Sequence, residues 1–533
     1  MAATVAPARK LYKSPIGLYD FQAIGVAQAY YELDTLAVWS TGIGKTHLAM
    51  ATSALLFEDD LVDLVLVTCE VNKMGDWLRD MHTFTDLEAV HYKGDKRRRG
   101  KLRQAPPQVM IGTYETIRND AAKPGPTKLH DYRPGPLCEA LEGLRVLLVY
   151  DEVSRLGNRT SGVFRAQECL VKHLRKARPG DTRTMGLTAT PIERDPANVY
   201  NEGRIITPWT VGTVQEFTHD HVVAVDFFGN PCKFHNIGPD DWDGVTRTLK
   251  RKLSPALKIK SKSDPDVKDQ FPKQVEEFEM VSLDSRHLDF YNTVRDAFYE
   301  QEWTPAEERR LFVVLRQIAG HPMSLLRSQG ELAQAISGQV GEAGLHALGS
   351  AKLDYLLHRL DTVCNGQGEK AIVFTFFGQS ILPLLHERIR AADLNVVVNH
   401  GQMSADRRYE SIQALREGDA QVFLSSDAGS RGLNLPEATY VFNYELPLSF
   451  ANYRQRNDRI HRIDSLAEIV VTESLIAANT IEEAIANMVL RRNEWHDILL
   501  GEQVLGDDDG EGAHLTADDR RKLIAFAKKR TVA

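Results

Sequence analysis

At 533 residues the chain is too long for one ordinary core and predicts roughly two to four domains. Apolar residues make up 43% and charged residues 26%, an ordinary balance for a soluble globular protein. A net charge of −8 excludes an overall positive field, so any nucleic-acid binding has to come from local basic patches.

Five cysteines (Cys69, Cys138, Cys169, Cys232 and Cys364) are scattered, odd in number and never spaced Cys-x-x-Cys. That pattern argues against a disulfide framework and a zinc site, and fits a reducing cytosol. The first residues lack an apolar signal core, and no stretch approaches about 18 consecutive apolar residues, so neither standard export nor a membrane span is expected.

In chain order, Leu18-Tyr-Asp-Phe-Gln22 comes first and sets an amide at Gln22, where it could read an adenine edge. A lone Gln there is more often a surface residue. The apolar run Leu36–Trp39 then leads into Thr41-Gly42-Ile43-Gly44-Lys45-Thr46 and a helix-like stretch. Glycines 42 and 44 let the backbone curl its N–H groups toward phosphate oxygens. Lys45 is expected on the β/γ-phosphates and Thr46 on Mg²⁺. Trp39 stands where the full consensus has glycine. The motif alone is therefore equally well read as a plain strand-to-helix turn.

Further strands are expected at Leu64–Val67, Val109–Ile111, Val146–Tyr150 and Thr184–Leu187. Between the first two lies Lys96-Arg97-Arg98-Arg99-Gly-Lys-Leu-Arg103, six positive charges in eight residues. Such a run is usually a solvated face; the functional reading is a track for a nucleic-acid backbone. The Pro/Gly-rich segment 123–136 reads as a surface loop. Asp151-Glu152 ends the apolar strand that begins at Val146. One carboxylate is expected to hold Mg²⁺ and the next to polarise the attacking water. An acidic pair in that order after a glycine loop is no ordinary strand end. Thr188-Ala-Thr-Pro191 then closes the fifth strand with hydroxyls that could sense a γ-phosphate.

The polar stretch Lys258–Pro272 reads as a hinge. Beyond it, strands are expected at Ala371–Phe374, Val396–Val398, Val422–Leu424, Tyr440–Phe442 and Ile469–Val471. The fold class expected is α/β, with two lobes, each a mostly parallel sheet flanked by helices. Gln455–Arg462 offers Arg459 and Arg462, three residues apart and on one face if helical. An acidic segment after Leu505 precedes a short basic helix expected from Thr516 to about Arg530.

This ordering resembles a SWI/SNF-type ATPase of helicase superfamily 2, over roughly residues 14 to 500. Leu18–Gly25 is similar to that family's Q-motif region, Asp151-Glu-Val-Ser154 to its acidic box and Leu187–Ile192 to motif III. Phe271–Glu277, Leu315-Arg-Gln-Ile-Ala-Gly-His-Pro322 and Ser350–Leu353 resemble segments more diagnostic of this family than of helicases in general. Val373–Phe376, Gly401–Ser404, Ser425–Leu435 and Gln455–Arg462 resemble motifs of the second lobe.

The resemblance implies arginine fingers at Arg459 and Arg462, and a DNA-phosphate contact at Ser425 and Ser426. It also adds Gly432 to a nucleotide set of Gln22, Thr41, Gly42, Ile43, Gly44, Lys45 and Thr46. Ser154 replaces the family's usual histidine, and no large insertion is visible. The implied domains are a RecA-like first lobe over 14–250, a linker over 251–280, a RecA-like second lobe over 281–505 and a tail over 506–533.

The function expected is an ATP- and Mg²⁺-dependent translocase on double-stranded DNA, with contacts at Arg97, Arg98 and Arg99. It is expected to act as a monomer and to take its purpose from a partner such as a nuclease or adaptor. The alternatives are a strand-separating or fork-remodelling helicase, and an ATP-gated binding or loading factor. The expected location is DNA-associated: cytoplasmic in a prokaryote or virus, nuclear in a eukaryote.

Overall fold

The computed structural model describes residues 11–13, 17–125, 132–189, 191, 197–225, 231–234, 248–297, 304–427, 435–448, 450–463, 465 and 467–491. The chain forms two compact units that divide between Asp269 and Gln270. Gly432 and the expected basic C-terminal helix lie outside the described residues.

In the first unit the main strands are β1 (Asp34–Trp39), β2 (Leu64–Cys69), β3 (Ala89–His91), β4 (Val109–Thr113), β5 (Val146–Asp151), β6 (Thr182–Thr188) and β7 (Leu257–Lys260). They form one sheet in the order β7-β1-β6-β5-β2-β4-β3, every pairing parallel. A parallel sheet needs both faces covered, which is why β1, β2, β4 and β5 are apolar runs buried at every position. Each fully buried Val or Leu there stabilises by about 1.5–3 kcal/mol relative to exposure.

The second unit follows the same logic. Its strands are β8 (Lys273–Val281), β9 (Ala371–Thr375), β10 (Val396–Asn399), β11 (Val422–Ser426), β12 (Tyr440–Asn443) and β13 (Ile469–Ala477). They pair in parallel in the order β8-β13-β12-β9-β11-β10. The helix Pro305–Gly320, started by a Thr304/Glu307 capping box with proline in its first turn, packs in the core with Tyr291, Tyr453 and Ile485.

All ten expected strands are present, and three more join them. The stretch expected to be a hinge begins inside β7, where Lys258 bonds Glu32 (2.6 Å) and Lys260 bonds Asp266 (3.0 Å). Its lysines are those of an edge strand, whose outer side pairs with no strand among the described residues and tolerates charge. Strand β8 is polar for the same reason, and β3 is too short to show a pattern. The Pro/Gly-rich segment is also more ordered than a loop, because Ala122–Pro124 and Tyr132–Pro134 pair antiparallel.

Candidate functional site

The carboxyl ends of parallel strands are where an open α/β sheet presents ligand-binding loops. In the first unit three neighbouring strands end together there. Val38 pairs with Thr188, and Leu187 pairs with Asp151. The register therefore brings the start of the glycine loop, Thr188 and the acidic pair to one level of the sheet edge. Thr190 lies outside the described residues.

The loop from Ser40 to Gly44 joins β1 to helix α1 (Lys45–Glu58). Gly42 and Gly44 both have left-handed backbones, with φ of +83° and +94°. A Cβ on Gly44 would fall 2.3 Å from Gln22 Nε2, so only glycine fits that position. Lys45 Nζ donates to the carbonyls of Trp39 (2.9 Å) and Ser40 (3.3 Å). The Gln22 amide is engaged with backbone: Nε2 donates to Ile43 O (3.0 Å) and Oε1 accepts from Tyr19 N (3.1 Å). The residue expected to read adenine thus ties the loop to the helix Asp20–Tyr31.

Asp151 is buried and Glu152 half-buried. Glu152 has a left-handed backbone (φ +54°), uncommon for a side-chain-bearing residue and typical of sites where strain serves function. Its Oε2 is buried without a hydrogen-bond partner. Burial pushes this carboxyl above the usual range, against the pull of the Lys45 ammonium. The Tyr114 hydroxyl donates to the carbonyls of Asp151 (2.9 Å) and Glu152 (3.2 Å), sharing one hydrogen between them. Trp77 Nε1–H donates to Asp151 Oδ2 at 2.8 Å. Neither Trp77 nor Tyr114 was legible as a site residue from its own sequence neighbourhood.

The curled glycine loop with a lysine at the helix start fits a phosphate group, and the carboxylates fit a hard divalent cation. Thr46, at the second position of α1, and Asp151 are the residues that would ligate it.

In the second unit the helix Phe450–Asn457 carries the start of the arginine segment. The helix stops there, so Arg459 and Arg462 are not two positions on a helical face. They follow in a turn whose backbone bonds run Arg459 N to Arg456 O and Arg462 N to Ile460 O. Arg459 is buried and Arg462 half-buried.

A third arginine at the same spacing anchors this turn. Arg456 forms an ion pair with Asp427, donating from Nε to Oδ1 (2.7 Å), and donates to Asn443 Oδ1 (3.2 Å) and Glu445 O (2.7 Å). Glu445 in turn accepts from Thr375 Oγ1 (2.8 Å) and Phe376 N (2.9 Å), and burial raises its pKa. Arg316 lies 4.3 Å over the Phe376 ring and donates to Leu446 O. Arg456 was detectable as the first of three arginines spaced by three.

Ser425, Ser426 and Arg99, expected at DNA phosphates, are engaged within the fold. Ser425 and Ser426 are buried, and Ser425 Oγ donates to Ser426 O (3.1 Å), so neither stands on the surface. In the basic helix α2 (Lys96–Gln104), Arg99 bonds both oxygens of Asp120 (2.7 and 3.1 Å). Arg103 bonds Asp120 (2.8 Å) and the Tyr92 hydroxyl (2.6 Å). Although burial would raise the Asp120 pKa, the bonds from Arg99 and Tyr92 hold it low. Positions 99 and 103 share the inner helix face, while Lys96, Arg97, Arg98 and Lys101 are exposed.

Two parallel-sheet units, one of them bearing a phosphate-type glycine loop with an acidic pair at the same level of the sheet, are the architecture of helicase-type ATPases. The helicase conserved C-terminal domain family matches residues 351–464, and the SNF2-related domain family matches residues 39–338. The chain belongs to the SNF2-related family.

The chain is 24% identical over 505 residues to the CHD3-type chromatin-remodeling factor CHR7 of Arabidopsis thaliana, covering 92% of this chain and 37% of that protein. It is 22% identical over 477 residues to the nuclear protein STH1/NPS1 of Saccharomyces cerevisiae, covering 85% and 32%. It thus spans about a third of the length of these relatives. Among solved structures, the Hef helicase domain of Pyrococcus furiosus shares the fold, with a TM-score of 0.53 and 17% identity over 90% of this chain and 99% of that one. Among the described residues no helix is long and apolar enough to cross a membrane.

Proposed function

We propose that this chain is an ATP-driven translocase on double-stranded DNA. The observation that carries the reading is the register at the first unit's sheet edge, where β1, β6 and β5 end level with the glycine loop, Thr188 and the acidic pair. ATP is the substrate. Its phosphates are held by the N–H groups of residues 42–46, and Lys45 exchanges its carbonyl partners for phosphate oxygens. Thr46 and Asp151 would hold Mg²⁺, which would supply charge neutralisation on those phosphates.

Glu152 is the group that orients water. Its buried, unpartnered oxygen and raised pKa make it a better proton acceptor than an exposed carboxylate. Thr188 senses the γ-phosphate, and Gln22 keeps the loop in register. The second unit contributes Arg459 and Arg462, whose guanidinium groups would stabilise charge on the transferring phosphoryl group. Each cycle of ATP binding and hydrolysis drives one step on DNA. The DNA contacts are made to phosphates by Arg97 and Arg98 with their lysine neighbours, so little sequence preference follows.

Measuring ATPase rates with duplex and single-stranded DNA tests this reading. Duplex should stimulate at least as well as single strands, and a plain tailed duplex should be separated poorly, since nothing visible offsets the few kcal/mol of unstacking per step. Stimulation by single strands alone, with fast unwinding, would instead establish a strand-separating helicase.

A further inference from the structure

Asp151 is the residue on which the metal reading rests, and its side chain is held by a group that no part of that reading uses. Trp77 belongs to the helix Met74–Phe84, which follows β2 in the first unit, and is 2% exposed. Its indole N–H is a donor with no acceptor capacity, and a buried donor needs a partner. The partner is not a nearby carbonyl but a carboxylate 74 residues away in sequence.

The sheet explains how the two meet. Thr68 pairs with Tyr150 and Cys69 pairs with Thr113, so β5, β2 and β4 also end level. The helix after β2 can then reach across to the acidic pair, while Tyr114, directly after β4, reaches the same pair's carbonyls. Backbone and side chain of the pair are thus fixed from two separate elements.

We propose that Trp77 is a positioning residue for metal-dependent nucleotide binding. Its N–H occupies one oxygen of Asp151, fixes the carboxylate plane, and reserves the other oxygen for the divalent cation. The bond is charge-assisted, so it is stronger than a neutral one and sharper in direction. Trp77 does not touch the cation or the nucleotide; it acts through Asp151. The inference rests on the reading of Asp151 as a metal ligand.

The test is Mn²⁺ binding in the presence of a non-hydrolysable ATP analogue, followed by electron paramagnetic resonance, so that no turnover is needed. Trp77→Phe keeps an aromatic ring and removes the donor. It should weaken Mn²⁺ half-saturation by about 10–100-fold, the range for groups that orient metal ligands. Metal-free binding of a fluorescent nucleotide should stay unchanged, which a general loosening of the fold would not allow. Should Trp77→Phe fold poorly, benzothienylalanine at position 77 keeps the bicyclic shape and replaces N–H by sulfur; the same loss is expected.

Asp151→Asn separates the two levels of the argument. If Asp151→Asn weakens Mn²⁺ binding and loss of the indole donor does not, the positioning role is overturned while the site assignment stands. If Asp151→Asn leaves Mn²⁺ binding intact, both fall.

Discussion

The two units present their chemistry in different ways. In the first, the reactive groups sit on turns at strand ends, and neutral donors hold them: the Gln22 amide, the Trp77 indole and the Tyr114 hydroxyl. In the second, the arginine turn is anchored by charge: buried Arg456 pairs with half-buried Asp427 and donates to Glu445 O. Nearby, Lys352 and Glu482 form a buried pair at 2.5 Å. Neutral supports can be cut one at a time with local effect. Removing one member of a buried ionic set strands its partner, so the second unit should convert small chemical changes into loss of fold.

The sharpest way to break this comparison is to remove the reactive groups themselves. Arg459→Ala with Arg462→Ala should lower kcat by about 10³–10⁵, as expected for arginine fingers, while nucleotide Kd stays within a few-fold. Lys45→Ala should do the reverse in kind, losing nucleotide binding along with turnover. Equilibrium binding of a fluorescent ATP analogue beside steady-state ATPase separates the two patterns. A lost Kd in the arginine variant would place those residues in ground-state binding.

Next in size is Lys352→Met, which leaves Glu482 buried without its cation. It should destabilise the second unit by about 3–5 kcal/mol in urea unfolding. By contrast, Trp77→Phe should cost the first unit only the roughly 0.5–1.5 kcal/mol typical of one net hydrogen bond, or up to about 3 where the partner is charged. Equal losses would remove the distinction between the units.

Within the first unit, helix α2 should split by face. Arg99→Gln breaks two bonds to buried Asp120 and should cost about 1.5–3 kcal/mol of stability without changing how DNA affinity depends on salt. Arg97→Gln and Arg98→Gln should be neutral for stability. Each should make the plot of log K against log salt shallower by about 0.9. An unchanged slope in both would return the exposed face to a plain solvated surface.

The smallest effect is in pH. Burial lowers the pKa of His287 and holds His321 down at about 4, against an ordinary 6.5. Both histidines are neutral in the fold, so the unfolded chain binds more protons below about 6.5 and stability falls as the pH drops toward 4. In the first unit burial raises Asp34 to about 6 from an ordinary 3.8, despite its bond to Arg175. That sign is opposite: its contribution is lost as the pH rises through about 6. Between pH 4 and 6, His321→Asn should flatten the pH dependence and Asp34→Asn should steepen it, each by at most about 1.4 kcal/mol per pH unit.

Legibility in the sequence followed burial. Most of the ten expected strands could be read because a strand buried on both faces is an unbroken apolar run, as in Val146–Tyr150. Strands β7 and β8 were hidden by their edge positions, which admit lysine and glutamate. The glycine loop and acidic pair were visible because their chemistry requires particular residues at fixed local spacing. Their supports were not, since Trp77 and Tyr114 meet Asp151 only through strand register. The basic run misled in part for the same reason: its composition is uniform, and only Asp120, far away in sequence, distinguishes Arg99 from Arg98.

Displacement of a fluorescent third strand from a DNA triplex tests the central claim most directly, because release there requires travel along an intact duplex. The account predicts that the chain releases the third strand when ATP is added and that Lys45→Ala does not. Duplex-stimulated ATP hydrolysis with no release would contradict it, and would identify an ATP-gated binding factor that does not travel.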